Sequence, residues 1–355
     1  MRSRILILVL PVFYTILISQ EFYGAGAFTE IGFSAQSISL GNTMFSDSDP
    51  AVAIFFNPAI VTNRNKRSIH INYRANNKYF GNYSTMGFYY PIKLSPKGIG
   101  LNIISYQVGE IAGYDDKANF LGEFDFKEYF GSLIYTSSLH NIAWGIKFLA
   151  IYNNIAEYNK SGYVGGVELG TTYDLDLLKI PGTGSWNTVL LPQIGFTGKR
   201  YFHPDYFKDH NNFVPSKLSL GTNLIHVDGP LDNLIPGLKK MNKLPSIPNI
   251  YLNLYYDLMK NYEYPAKSSL GFTIGVELEN IFSFAVNMGR ANFTRNSYNG
   301  ISQESLNDLQ FDSDHFFFFN TLGFSFDSNI FSISYAQTYH PYFNQTDYFS
   351  VSLYW

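Results

Sequence analysis

Cysteine is absent from the 355-residue chain, and charged residues are scarce. Without cysteine the chain has no disulfide, no thiolate metal site, no thiol nucleophile and no lipid-anchored N-terminal cysteine. Charged residues make up 15%, against roughly 25% in soluble domains. The formal net charge of -3 provides no basic surface, so we expect no nucleic-acid partner.

Long apolar runs are also nearly absent. The one clear run, Ile5 to Ile18, follows Arg2 and Arg4 near the start of the chain. A helical membrane protein needs about 20 apolar residues for each span, so the sequence does not indicate that class. Basic residues before a short apolar core predict a Sec-type signal peptide over residues 1–20, cleaved between residues 20 and 27. The chain is therefore expected to be exported.

What the sequence does contain is aromatic residues and two-residue alternation. Phe and Tyr number 32 and 28. The C-terminal stretch alternates between a polar side, with Ser350 and Ser352, and an apolar side formed by Phe349, Val351, Leu353 and Trp355. This period is that of a β-strand with two different faces. A final strand that has an apolar face and ends on an aromatic residue is typical of a membrane barrel, in which it closes against the first strand.

The same alternation recurs along the chain and predicts an all-β fold, an antiparallel outer-membrane β-barrel of about fourteen strands. A soluble β-sandwich or propeller explains the alternation equally well, but not the signal peptide, the aromatic terminus and the loop lengths together. The predicted strands are Ser68–Arg74, Tyr83–Pro91, Gly98–Tyr106, Phe126–Thr136, Ile142–Asn153, Gly162–Tyr173, Thr188–Phe196, Ser216–Val227, Ile247–Leu258, Ser268–Leu278, Ile281–Ala291, His315–Phe326, Ile330–Ala336 and Asp347–Trp355.

Connection lengths indicate the orientation of the predicted barrel. Long connections follow strands three, seven and eleven, at Gln107–Asp125, Thr197–Pro215 and Asn292–Asp314, as expected of outer loops. Two inner connections, Asp174–Asn187 and Asp228–Ser246, are longer than that rule predicts. The inward faces contain mainly Gly, Ser, Thr and Asn with an occasional charge, which predicts a lined or plugged lumen rather than a dry core.

The region before the first strand, residues 28–63, does not alternate. It contains an acidic turn with Asp47, Asp49 and Pro50, followed by the apolar piece Ala51–Ala59, which includes Phe55 and Phe56. Pro58 pushes Asn57 toward extended geometry and ends any helix that begins at Ala51. We therefore predict two parts, a compact buried segment over 28–63 and a transmembrane barrel over 64–355.

Several short motifs carry a family resemblance that spans the chain. Ser39-Leu-Gly-Asn42, Asp49–Ala59, Val167–Tyr173, Leu218–Leu224 and Ser334-Tyr-Ala336 together resemble the PorV/PorQ-like outer-membrane proteins, within the wider FadL-type barrel group. Asn42 stands where that pattern has a second glycine, and Val52-Ala53 stands where it has Ser-Ala. The resemblance implies a fourteen-stranded barrel in the outer membrane of a Gram-negative bacterium, with the N-terminal segment folded inside as a hatch whose motif is Asn57, Pro58 and Ala59.

The resemblance implies two roles. The first is a secretion-accessory (type IX-like) or anchoring barrel, and the alternative is a FadL-like transporter of fatty acids or other hydrophobic molecules. The expected partners are outer-membrane lipid, the barrel-assembly machinery through the C-terminal strand, and either secretion-system proteins or a hydrophobic small molecule. The sequence has no phosphate loop and no nucleophile elbow, so we expect neither enzymatic activity nor a cofactor.

Three motifs have competing interpretations. Asn57-Pro58-Ala59 is either a hatch turn that moves or a turn that caps a buried segment. Pro192, which cannot donate to a strand ladder, either kinks the wall and opens it sideways or precedes the true start of strand seven. His203, Asp205 and His210 fit no metal-ligand spacing, so rim aromatics and solvated polar groups are the favoured interpretation and no metal site is predicted.

Overall fold

A computed structural model describes residues 29, 31–45, 49–60, 66–77, 81–92, 96–114, 117, 119–155, 160–175, 178–181, 187–202, 217–230, 248–261, 267–278, 281–292, 318–339 and 346–355. The predicted signal peptide, Asp47, and the loop with His203, Asp205 and His210 lie outside the described residues. The helices of the described part are all too short to cross a membrane.

Antiparallel strands make up most of the described chain. Their order is β1 (Ser68–Asn77), β2 (Gly81–Ile92), β3 (Lys97–Tyr114), β4 (Phe120–Leu139), β5 (Ile142–Ile155), β6 (Lys160–Asp174), β7 (Leu178–Pro181), β8 (Asn187–Phe202), β9 (Lys217–Pro230), β10 (Asn249–Asn261), β11 (Lys267–Leu278), β12 (Phe282–Asn292), β13 (Phe318–Ser328), β14 (Phe331–Tyr339) and β15 (Thr346–Tyr354).

The described strands close into a ring, which confirms the predicted barrel. Apart from β7, each strand pairs with its neighbours in the ring, with β1 against β15 and β6 against β8. The short β7 pairs with β8 alone. Leaving β7 aside, fourteen strands of the described chain form the wall. A closed ring satisfies every strand's backbone groups internally, which is the condition for β-structure to cross a membrane.

The last strand shows how alternation determines the two faces. Phe349, Val351, Leu353 and Trp355 are 46–56% exposed on the outside, whereas Ser350 and Ser352 are 3% and 4% exposed inside. The register from Ser68↔Tyr354 to Arg74↔Tyr348 joins this strand to the first. The apolar row therefore lies on the outer face of the seam that closes the ring.

The connections define two ends of the barrel. The turn end carries the short connections at residues 93–96, 140–141, 279–281 and 329–330, and the loop end carries the connections at residues 203–216 and 293–317. The predicted long connection Gln107–Asp125 is wrong, since β3 continues to Tyr114 and β4 begins at Phe120. Glycine and acidic residues in this stretch resemble loop composition, but pairing across the hairpin keeps it extended.

The predicted inner connection Asp174–Asn187 is also partly strand. The β7 strand pairs with β8 from Leu178↔Leu190 to Pro181↔Asn187, and β6 pairs with β8 from Asp174↔Gln193 onward. Thus β7 continues β6 after a short irregularity, and the hairpin extends past the neighbouring turns. The other exception, residues 231–247, lies outside the described residues.

Two short helices precede the wall: α1 (Ala35–Ser39) and α2 (Pro50–Phe56). The side chains of Ser34 and Asp49 cap their first turns, and Pro at the first position of α2 fits a site where no amide donor is needed. As predicted, the helix ends before Asn57, which is extended at φ -145° and ψ 117°. We call residues 29, 31–45 and 49–60 the inner segment.

Candidate functional site

The inner segment contacts all fourteen wall strands. Hydrogen bonds reach Ser68 of β1, Thr85 of β2, Asn102 of β3, Lys147 of β5, Thr172 of β6, Asp257 of β10, Thr321 of β13 and Ser350 of β15. Ring, apolar or close backbone contacts reach β4, β8, β9, β11, β12 and β14. The segment therefore occupies the lumen, with α1 beside β12 to β15 and α2 beside β1 to β3.

Three pairs of glycines on neighbouring strands make room for the inner segment. Gly145 of β5 pairs with Gly170 of β6, Gly195 of β8 with Gly221 of β9, and Gly271 of β11 with Gly289 of β12. A side chain at any of these positions would come within 2.9 Å of the inner segment, closer than packed interiors allow. Each pair thus forms a notch in the inner wall in which one piece of the segment sits.

The predicted hatch motif occupies the first notch. A Cβ at Gly145 would lie 2.0 Å from the Pro58 carbonyl oxygen, and one at Gly170 would lie 2.1 Å from Asn57 Oδ1. The Asn57 side chain accepts the Ala59 amide at 2.9 Å and donates toward the Thr171 carbonyl at 3.3 Å. The motif is therefore both a turn closed on itself and a contact with β6.

Charged side chains hold both ends of α2. Asp49 accepts the Ala51 amide at 2.9 Å, and its other oxygen lies 3.5 Å from Nδ1 of His70 on β1. At the opposite end, Lys147 Nζ donates to the Phe55 carbonyl at 2.6 Å and to Glu168 at 2.8 Å. An acid at the N-terminus and a base at the C-terminus match the helix dipole.

The Asp49 carboxyl is fully buried yet ionises easily. Burial alone would raise its pKa, but the hydrogen bond and charge of His70, with further hydrogen bonds from Ser352 and Ser68, bring the pKa below its usual 3.8. A lowered folded-state pKa stabilises the fold above the unfolded pKa, and this contribution disappears as the pH falls through the folded value.

Asp49→Asn keeps a cap but removes the charge, so we expect a pH-dependent loss of stability. The melting temperature of the purified protein should fall relative to wild type at neutral pH, and the difference should shrink as the pH drops below 3.8. Asp49→Ala additionally loses the cap, at a cost of about 0.5–2 kcal/mol. A wild-type-to-Asn difference that is constant from pH 7 to acid would contradict this assignment.

The bend between the helices is fastened to β10. Met44 donates its amide to Asp257 Oδ2 at 2.5 Å, and its side chain fills the notch of Gly195 and Gly221. Asn42 has φ +60° just after Gly41 at φ +68°. Asparagine tolerates this left-handed geometry better than most residues, which explains how Asn42 stands where the resembled family has glycine.

The inner segment also bonds to both sides of the seam. The Ala35 amide donates to Ser350 Oγ of β15 at 2.6 Å, and Ser350 Oγ in turn donates to Asn72 Oδ1 of β1 at 2.9 Å. Nearby, His70 Nδ1 lies 2.9 Å from Ser352 Oγ. First strand, last strand and inner segment therefore share one buried polar network.

Toward the loop end, the inner wall from β2 to β8 becomes mainly apolar, with Glu128 of β4 as a buried charged residue in it. Its buried side chains pack against Phe33, Val52 and Phe55 of the inner segment, whose Phe33 and Phe55 rings stack at 4.4 Å. On β5 the inward positions are Gly145 and Lys147, then Leu149 and Ile151. We call this the apolar sector: Tyr83, Ile104, Phe130, Leu149, Ile151, Val164 and Tyr201.

This sector corrects the sequence-based description of the lumen. The expected Gly, Ser, Thr and Asn lining holds at the height of the notches and toward the turn end. On the loop-end side of Lys147, the inward residues of β5 are apolar. The sequence could not predict this change, because a two-residue period distinguishes inside from outside but not one height in the barrel from another.

Two cavities flank the inner segment. The larger, about 720 Å³, opens at the turn end beneath Phe45, Pro50 and Ile60. Its polar rim includes Lys66, His140 and His226 and four carboxylates: Asp174, Asp228, Glu277 and Asp327. The smaller, about 60 Å³, lies on the loop side of Met44 and is lined by Glu168, Lys199, Lys217 and Asp257 among others.

Pro192 lies inside β8, so the interpretation that this strand starts at or beyond Pro192 is wrong. The strand begins at Asn187, and its pairing with β9 slips between Leu190 and Gln193. Pro192 has no amide to donate, but its carbonyl accepts the Leu175 amide at 2.9 Å. A bulge tolerates proline in a paired strand, and Gln193 places this one beside the turn-end cavity. The sideways opening stays a prediction.

Some residues of the site could be predicted from the sequence and others could not. Phe55 was singled out and lies in the apolar sector's packing, and Phe56 meets its ring edge-on at 5.4 Å. Lys147, Asp257, His70 and Met44 were not singled out. For Lys147, Asp257 and His70 the available signal was an ionisable residue at the inward position of a strand, which is costly unless it is paired. Within the described ranges no group of three or more His, Asp or Glu could hold a metal ion.

Comparison with known proteins finds similarity in chain trace alone. No family model and no curated sequence matches. The toluene transporter TodX of Pseudomonas putida has 9% identity over 91% of this chain and 98% of its own, with a TM-score of 0.48. The monoaromatic hydrocarbon channel CymD has 10% identity over 91% and 97%, with a TM-score of 0.45. A FadL homologue of Pseudomonas aeruginosa has 9% identity over 91% of this chain and 98% of its own, with a TM-score of 0.42. The barrel architecture rests on the strand pairing itself.

Proposed function

We propose that this chain is an outer-membrane barrel that passes a hydrophobic small molecule, with the inner segment as its hatch. The observation that carries the proposal is the apolar sector, which faces the lumen next to the inner segment. A barrel that served only as an anchor would not need such a surface inside. Of the two predicted roles, the geometry favours transport over a secretion accessory. No catalytic step is part of this function.

In the closed state the inner segment's own aromatic rings occupy the apolar sector. Phe55 contacts Phe33 at 4.4 Å and Phe130 at 5.8 Å between ring centroids. A hydrophobic molecule entering from the loop end would replace these contacts at little cost, since apolar burial is not directional. Displacement of α2 would then lead to the turn-end cavity, whose wall is irregular at Pro192.

A disulfide between the inner segment and the wall should stop uptake. Ala51 Cβ lies 3.2 Å from the position of a Cβ at residue 87 on β2, close to the spacing of about 3.8 Å in disulfides. We expect cells with Ala51→Cys/Gly87→Cys to lose uptake of radiolabelled oleate and toluene, and a reductant to restore it. The native chain has no cysteine, so the single variant Ala51→Cys controls for the thiol. The single variant Gly87→Cys controls for the contact of its own Cβ with the Ala51 carbonyl oxygen, at 2.8 Å. Unchanged uptake in the oxidised, fully cross-linked variant would exclude a moving hatch.

The proposed location requires assembly into the outer membrane, which we assign to the last strand as the segment that the assembly machinery receives. Deleting residues 346–355 leaves one edge of β1 and one edge of β14 unpaired, and unpaired edges are not tolerated in lipid. We expect the variant to be absent from the outer-membrane fraction in immunoblots, whereas Ser352→Ala should be present. Normal levels of the deletion variant would contradict this role.

A second candidate function, protein docking at the cell surface, is favoured by the length of β3 and β4. These strands have 18 and 20 residues, whereas about 9–11 suffice to cross the membrane. The neighbouring hairpins close at Asn77↔Gly81 and Ile155↔Lys160, so residues 108–114 and 120–125 project beyond them. Native mass spectrometry of gently extracted protein separates the candidates: a bound lipid supports transport, and a protein lost on deletion of residues 108–125 supports docking.

A further inference from the structure

The wall formed by β8, β9 and β10 carries polar groups in aligned rows from one cavity to the other. At the turn end, Gln193, Asn223 and Tyr255 lie side by side in register and line the large cavity. Two residues further along each strand come Gly195, Gly221 and Asp257. The next row, Thr197, Ser219 and Met259, lines the small cavity, and Lys199 pairs with Lys217 beyond it.

The second row has one side chain, that of Asp257, and its two glycines leave a notch that is filled by Met44. Its sulfur lies 2.8 Å from the Cβ position of residue 195, and its Cβ lies 2.6 Å from that of residue 221. The edge of the Phe45 ring approaches Gly195 as well, at 3.0 Å. Among the described residues, Met44 is thus the main side chain between the two polar cavities on this sector. It is buried, with 2% exposure.

Backbone and side chain of Met44 are held differently. The amide is fixed by Asp257 Oδ2 at 2.5 Å, whereas the sulfur accepts a weak contact from the Asn57 amide group at 3.3 Å and the side chain otherwise makes non-directional apolar contacts with Ala53, Ile60, Phe45 and Phe56. Methionine is unbranched and adapts its shape readily. The side chain can therefore leave the notch while the backbone stays in place.

We propose that the β8–β10 sector is a closed polar pore for small ions and polar solutes, with the Met44 side chain as its gate. This path is separate from the apolar sector on β2 to β8 and needs no displacement of α2. The large cavity carries four carboxylates against one lysine and two histidines, so the open pore prefers cations. At the loop side Glu168 lies 3.8 Å from Lys199 and 2.8 Å from Lys147, so it offsets part of the positive charge there.

The test is single-channel recording in planar bilayers with potassium chloride. Purified wild-type protein should be silent, and Met44→Ala should give discrete, cation-preferring current steps. Met288→Ala is the matched control, because Met288 is 45% exposed on the outer face of β12, and it should be as silent as wild type. Met44→Val is a second variant that keeps the Cβ on Gly221 but lacks the sulfur over Gly195.

Cysteine modification then locates the current. In the Met44→Ala background, Ser219→Cys and Asn223→Cys lie on opposite sides of the gate, and a charged methanethiosulfonate reagent should reduce the current through both. Folding is checked by the heat-dependent shift on gels. The proposal is overturned if folded Met44→Ala and Met44→Val are both silent, or if their current is insensitive to modification at both cysteines. Hydrocarbon uptake is measured separately, so loss of the transport proposal leaves this result unaffected.

Discussion

Gly145→Val is expected to unseat the inner segment and make the outer membrane leaky. Any Cβ at residue 145 would lie 2.0 Å from the Pro58 oxygen and 2.3 Å from its carbon. Both are backbone atoms, so no rotamer change relieves the clash. Overpacking of this kind costs about 1–3 kcal/mol, which corresponds to roughly 5–150 times more barrels with a displaced segment. The measurement is nitrocefin hydrolysis by whole cells with a periplasmic β-lactamase.

Gly165→Val is the matched control for this prediction. Gly165 lies on β6 like Gly170, but a Cβ there would meet nothing within 4 Å. It adds the same side chain without touching the inner segment, so hydrolysis should stay at the wild-type rate. Equal rates in both variants, at equal protein levels, would mean that the motif at Pro58 does not seal the lumen.

Lys147→Met should cause the largest loss of stability of any single substitution considered. The ammonium group and Glu168 are 1% and 3% exposed and 2.8 Å apart, and the same nitrogen holds the end of α2. Removing one partner of a buried pair costs about 3–5 kcal/mol, because the other charge stays buried. Lys199, at 3.8 Å, replaces only part of the interaction. Urea unfolding in lipid vesicles, followed by tryptophan fluorescence, measures the difference.

Two further variants make this measurement specific. Lys147→Met/Glu168→Gln removes both charges and should regain much of the stability, since a neutral buried pair lacks the desolvation cost. Lys127→Met breaks the exposed pair with Asp125, whose side chains are 41% and 50% exposed, and should cost about 0–1 kcal/mol. If Lys147→Met is no worse than Lys127→Met, the buried pair does not hold α2.

The wall strands could be predicted from the sequence because their outer and inner faces differ in polarity. Outward residues such as Phe349 are apolar and exposed, inward ones such as Ser350 are polar and buried, and this contrast appears directly as a two-residue period. Strand ends were predicted less well. The extension of β3 to Tyr114 rests on pairing across a hairpin, and no local composition encodes that pairing.

The inner segment was predictable in outline but not in its contacts. Pro58 and the apolar run before it indicated a compact buried segment in which any helix ends before Asn57, and α2 ends there. The notches could not be predicted, because Gly145 and Gly170 become neighbours only through the register of β5 and β6. The same holds for Met44 and Asp257, which are 213 residues apart in sequence.

The bond between Ala35 and Ser350 joins residues 315 positions apart, almost the full length of the chain. A segment that is synthesised early is thus fastened to one that is synthesised more than 300 residues later. No intermediate with a missing C-terminus can complete the buried network of Ala35, Asn72 and Ser350, so the inner segment and the seam reach their final state together. Contacts of such sequence separation make folding slow. A chain that still lacks residues 346–355 must therefore be protected from aggregation until these residues arrive.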